Sequence, residues 1–203
     1  MFLSASVVLL CMASAIQGLN LEAAMETPCF NISNNPAPLF NMEWAVSLGT
    51  VYYPIMNNID LYRAATDLLQ KQPNEIKTGS VYYDSCLTWH MFKDGTLLSK
   101  GFNGLTREYK SRPMEGNPDG YVFWPSDGTD VYSGSAYTTM TDNKTFFFSA
   151  LCLKNGGMAW GVGSATPTLS EETKKKILEH AESLGFKKEH FTELRYDNCK
   201  ISA

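Results

Sequence analysis

Cysteine is the residue type in this chain with the most chemical reach, and its spacing narrows what that chemistry is. Cys29, Cys86, Cys152 and Cys199 are spread across the chain, while Cys11 lies in an apolar run near its start. Zinc sites use cysteines only two to four residues apart, and these are far wider. His90, His180 and His190 add no ligand pattern, so no metal site is expected. No Ser-His-Asp arrangement or paired-carboxylate spacing stands out, and the aspartates sit mostly in turn sequences. The chain is therefore read as having no catalytic residues and as not an enzyme.

In an exported chain, four cysteines point instead to two disulfides, with three pairings open from sequence alone. Export is indicated by residues 2–15, an apolar run with only small serine interruptions that ends in the small residues Ala13-Ser14-Ala15 before Gly18. This reads as a signal peptide over 1–18, cleaved after Ala15 or Gly18. The run is shorter than the roughly 20 residues that cross a bilayer, and no later stretch comes close, so no integral membrane segment is expected. Asn31-Ile32-Ser33 and Asn143-Lys144-Thr145 are acceptor sequons for N-glycosylation. These features together describe a secreted, extracellular protein with one domain over 19–203. Its 17 basic and 21 acidic residues give a formal charge of −4. Without basic clusters, nucleic acid is not an expected partner.

The elements that position these residues follow from apolar, β-branched and aromatic runs at 45–53, 80–92, 96–102, 105–112, 120–124, 131–140, 144–153 and 158–164. Between them stand Asp94-Gly95, Asn103-Gly104, Asn117-Pro118-Asp119-Gly120, Asp127-Gly128, Asp142-Asn143 and Asn155-Gly156-Gly157. Such residues accept the positive φ of tight hairpins, so the runs form an antiparallel meander. Closing into a barrel removes its exposed edges, and the alternative, a two-sheet sandwich, usually needs longer cross-connections. The expected fold is all-β, an eight-stranded antiparallel up-and-down barrel. One connection, 54–79, is far longer than a hairpin needs. Its Leu61, Ala65, Leu68 and Leu69 recur at helical spacing, as expected of a lid over one barrel mouth or of an idle surface insertion. Beyond the last strand, Thr168-Leu169-Ser170-Glu171 reads as a capping box. The helix it opens carries an apolar stripe at Ile177, Ala181 and Leu184, ends at Gly185, and should pack outside the barrel. His180 and His190 are read as solvated.

Specific segments resemble the lipocalins, in particular apolipoprotein D and the insect bilin-binding proteins. Gly49-Thr50-Val51-Tyr52-Tyr53 resembles the first family motif, and Thr141-Asp142 with the strand to Cys152 resembles the second. Cys86 to Gly95 resembles the family's second strand and hairpin, and Met158 to Cys199 its C-terminal end. The departures are Val51 in place of the first-motif tryptophan, Gly163-Ser164-Ala165 in place of the arginine that packs on it, and Asn143 in place of a tyrosine. The chain thus resembles a divergent member. The resemblance implies disulfides Cys29–Cys152 and Cys86–Cys199.

It also implies a carrier that binds a small hydrophobic molecule inside the barrel. If Cys86 points outward to the tail, alternation sends Leu87, Trp89 and Met91 inward. Val51, taken at the inward tryptophan position, places Tyr53 and Ile55 inside. Phe123, Tyr132, Tyr137 and Phe147 are further candidates for the ligand-binding wall, with no anchor for their phase. Such aromatic walls with little charge suit a flat, conjugated or steroid-like ligand. No cofactor is required, and the expected guest is a tetrapyrrole such as a bilin, a carotenoid, or a lipid such as a sterol or fatty acid. Self-association into a homo-oligomer is compatible with this reading. The alternative is an extracellular interaction or scavenging protein acting through its surface or long first loop. Scavenging of an amine would need cavity carboxylates, which the inferred inward positions do not supply.

Overall fold

The computed structural model describes residues 40–57, 81–83, 86–100, 106–115, 117–128, 133–153, 158–187, 190–197 and 199. The leader at 1–18, Cys29, Asn31, Tyr132 and nearly all of the 54–79 connection lie outside the described residues. Helix α1 is Met42–Ser47 and leads into strand β1, Val51–Met56. Then come β2 (Val81–Tyr83), β3 (Thr88–Met91), β4 (Thr96–Lys100), β5 (Thr106–Met114) and β6 (Asn117–Pro125). The chain continues through β7 (Gly134–Thr141), β8 (Phe146–Leu153), β9 (Met158–Ser164), helix α2 (Glu171–Ser183) and β10 (Thr192–Arg195).

Strands β3 to β9 form the expected antiparallel meander, and β1 closes it by pairing with β3 and β9. Eight strands thus make a closed antiparallel barrel with α2 packed outside. The turns use the residues that hairpins require. Gly95 takes φ 82°, and Asn143 takes φ 52° in the β7–β8 turn. In that turn Asp142 Oδ1 accepts the N–H groups of Lys144 (3.0 Å), Thr145 (2.8 Å) and Phe146 (3.1 Å). Burial opposes ionisation of Asp142, but these bonds and one from the Thr145 hydroxyl outweigh it and hold the carboxyl at about 2.

Four expectations about the elements need correction. Residues 45–47 belong to α1, because Asn41 caps it by accepting the Trp44 N–H at 3.0 Å. The run 80–92 is two strands, broken at Cys86, whose φ of 48° cannot continue a strand. β2 leaves the barrel and pairs in parallel with β10, which lies in polar sequence that carries no strand signal of its own. The N-cap of α2 is Ser170, which accepts the Thr173 N–H at 3.1 Å, while the Thr168 carbonyl is taken by the Thr166 hydroxyl.

The helix stripe lies where expected. Ile177 and Ala181 are buried on Ile55, Phe146, Phe148, Ala150, Trp160 and Val162 of β1, β8 and β9, with Leu184 at the margin and Gly185 at φ 90° ending the helix. Burying one large apolar side chain contributes about 1.5–3 kcal/mol, so this layer is a main support of the fold. His180 departs from the solvated reading. It is half-buried, its Nε2 lies 2.8 Å from the Thr139 hydroxyl, and its ring meets Phe148 edge-on at 5.0 Å. Burial lowers its pKa. His190 is exposed.

The tail ties the split between β1 and β3. The Tyr196 hydroxyl donates to the Leu87 carbonyl at 2.5 Å and accepts the Tyr53 N–H at 2.8 Å. Three residues later Cys199 is bonded to Cys86, with Cα atoms 5.4 Å apart. Cys152 is also disulfide-bonded, and Cys29, its expected partner, lies outside the described residues.

Candidate functional site: the barrel cavity

One end of the barrel is plugged by apolar side chains. Phe147 is buried against Ala45 and Val51, its ring 4.9 Å from that of Phe40 and 6.2 Å from that of Trp44. A Cβ on Gly163 would fall 2.2 Å from the Phe147 ring, so only glycine lets the ring lie there. Val51 and Gly163, both among the positions that depart from the family pattern, therefore border this ring. The α1 segment is held against the same end by the Asn41 N–H, which donates to Asn143 Oδ1 at 2.8 Å. Left-handed backbone at 143 is itself a reason for asparagine there, separate from the sequon.

Above the plug lies a cavity of about 170 Å³, far more than a single water needs. Its wall is aromatic and aliphatic, with tyrosine and serine hydroxyls and no charged side chain among the lining residues. Of the sequence candidates, Tyr53, Leu87, Trp89, Met91, Phe123 and Phe147 line it. Trp89 stands at the centre of this wall, 6.0 Å from the Tyr53 ring and 5.3 Å from that of Tyr109. Burial pushes the Tyr53 phenol far above its usual range, so it stays neutral and able to donate.

Two inward assignments are corrected. Tyr137 packs against the cluster under α2, not into the cavity, because its neighbour Ala136 is the inward residue of β7. Ile55 also belongs to that outer cluster. The β1–β9 register shifts between Tyr52 and Ile55, around Pro54, and the extra residue reverses the phase so that Met56 lines the cavity instead. Tyr132 lies outside the described residues. Sequence reasoning missed Tyr109 and Tyr121. Strand alternation from Ser111 on β5 and Phe123 on β6 could have found them, had either phase been anchored.

No family model matches the sequence, and no curated protein does. Solved structures do. Insecticyanin from the tobacco hornworm Manduca sexta aligns with a TM-score of 0.56 at 12% identity, over 81% of this chain and 85% of that one. Lobster apocrustacyanin A1 aligns with a TM-score of 0.50 at 14% identity, over 79% and 89%. The chain has the lipocalin fold. A further lipocalin-fold neighbour, a mutant of LTBP1 solved in complex with leukotriene C4, aligns with a TM-score of 0.52 at 12% identity, over 77% and 90%. Among the described residues no cluster of His, Cys, Asp or Glu could hold a metal ion, and no helix of this lipocalin barrel is long and apolar enough to cross a membrane.

Proposed function

We propose that the protein is an exported carrier that holds one small hydrophobic molecule inside its barrel. The observation that carries this reading is the cavity itself: an uncharged wall of aromatic and aliphatic side chains, closed at one end by α1 and Phe147. Such a wall favours an apolar guest through burial worth about 25 cal/mol per Å². The tyrosine and serine hydroxyls supply the few polar contacts that orient one. Flat or extended conjugated guests suit the facing Tyr53, Trp89 and Tyr109 rings, which leaves tetrapyrroles, carotenoids, sterols and fatty acids as classes to test. The leukotriene C4 complex of the LTBP1 mutant supports a lipid guest for this kind of barrel. The Cys86–Cys199 disulfide supports an oxidising compartment, and so export.

The test is fluorescence titration with the neutral probe N-phenyl-1-naphthylamine, on the native protein and on Ala136→Phe. Ala136 is a small inward residue of the wall, and a ring there would take up cavity space. The expected result is one probe per chain, with affinity weakened at least about tenfold in the variant, or about 1.4 kcal/mol, and Tm little changed. Unchanged probe affinity in a folded variant would place binding elsewhere.

A further inference from the structure

The cavity wall is uncharged, but the next inward position along β5 is not. Ser111 and Tyr109 line the cavity, and by the two-residue period of a strand Arg107 shares their face. Its neighbour on β4 is Ser99, which is completely buried and follows the inward Leu97 by two residues. The Arg107 guanidinium carbon lies 5.8 Å from the Tyr109 ring centroid, so a cation caps a residue of the apolar wall. The arginine side chain is only 13% exposed, whereas that of Asp127, 2.9 Å from its Nη2, is 54% exposed.

We propose that Arg107 anchors the anionic head group of the carried molecule, which is then a carboxylate-bearing amphiphile whose tail lies in the cavity below. This rests on the carrier reading and adds the ligand's charge to it. A carboxylate set among the lining residues alone would lose its hydration with no cation to replace it, which is strongly unfavourable. At the level of Arg107 it meets a planar fork of donors suited to two parallel hydrogen bonds. Asp127 does not block this exchange. More than half exposed, it returns to water at small cost when a ligand carboxylate takes its place, whereas the nearly buried guanidinium stays inside. Tyr109 lies directly under the guanidinium, so a head bound there is continuous with a tail against Tyr109, Trp89 and Phe123.

The experiment compares cis-parinaric acid with its methyl ester, by fluorescence titration of the full protein and of Arg107→Gln. The wild type is expected to bind the acid at least about tenfold more tightly than the ester. In Arg107→Gln the acid should weaken by about tenfold and the ester should stay within about twofold, which also shows that the variant is folded. Equal affinities in the wild type, or a preference that survives in Arg107→Gln, would overturn the anchor while leaving the carrier reading intact. If Arg107→Gln does not fold, the wild-type ratio of the two affinities decides. Failure of the wild type to bind either probe would overturn the anchor and the carrier reading together.

Discussion

Replacing Phe147 with alanine removes the ring that closes one end of the barrel, and the effect can be worked out from its surroundings. The ring is 4% exposed and packs with Phe40, Trp44, Ala45 and Val51 at the closed end of the barrel. Phe→Ala at such a site costs about 3–5 kcal/mol. For a chain of this size each kcal/mol lowers Tm by about 2–4 °C, so calorimetry should record a fall of roughly 6–20 °C. Gly163→Ala should also destabilise, since its Cβ would stand 2.2 Å from the ring. In the Phe147→Ala background that clash is absent, and the same Gly163→Ala change should become nearly neutral. The two substitutions are thus strongly non-additive, as expected of residues in direct contact. Additive effects, or a loss below about 1 kcal/mol for Phe147→Ala, would show that the ring is wall and not plug.

Removing the tail staple with Cys86→Ser and Cys199→Ser should lower stability by about 2–5 kcal/mol, because it frees a loop with a sequence separation of 113; chemical denaturation checks this. Peptide mapping without reduction should find the second bridge as Cys29–Cys152 and no free thiol in the mature chain, and a Cys29–Cys86 peptide would contradict it. His180 has its pKa lowered by burial below the ordinary 6.5, so the unfolded chain binds the proton more readily. Stability from this group is therefore full above pH 6.5 and falls as pH drops towards the folded value; His180→Gln should flatten Tm against pH in that window. Trp89→Ala should weaken apolar probe binding and remove most tryptophan-to-probe energy transfer, and unchanged titrations would remove Trp89 from the site.

What could be read from sequence, and what could not, follows from how each feature is encoded. Hairpin turns depend on local backbone chemistry, so Asp94-Gly95 and Asp142-Asn143 marked the β3–β4 and β7–β8 connections directly. The alternation counted from Cys86 agrees with the inward Leu87, Trp89 and Met91, although β3 begins only at Thr88 and Cys86, at φ 48°, lies outside it. Inward phase failed for Ile55 because one residue inserted near Pro54 reverses everything after it, and for Tyr137 because nothing local sets the phase of β7. Residues 45–47 have strand-like composition, but the Asn41 cap and the packing of Ala45 on Val51 and Phe147 make them helical. β10 and Tyr196 carry no periodic signal, since they are held by partners more than a hundred residues away in sequence. Nothing in the sequence sets Arg107 apart from the other charged residues. Only the β4–β5 register places it above the cavity.

Native mass spectrometry of the protein purified from its natural source under non-denaturing conditions shows whether the barrel carries a small hydrophobic molecule in its cavity. The expected mass shows an excess of one small organic molecule per chain, released on unfolding and absent from Ala136→Phe expressed and purified in the same way. A bare protein mass that stays bare after incubation with a lipid extract of the source, or a guest retained undiminished by folded Ala136→Phe, would contradict the carrier reading.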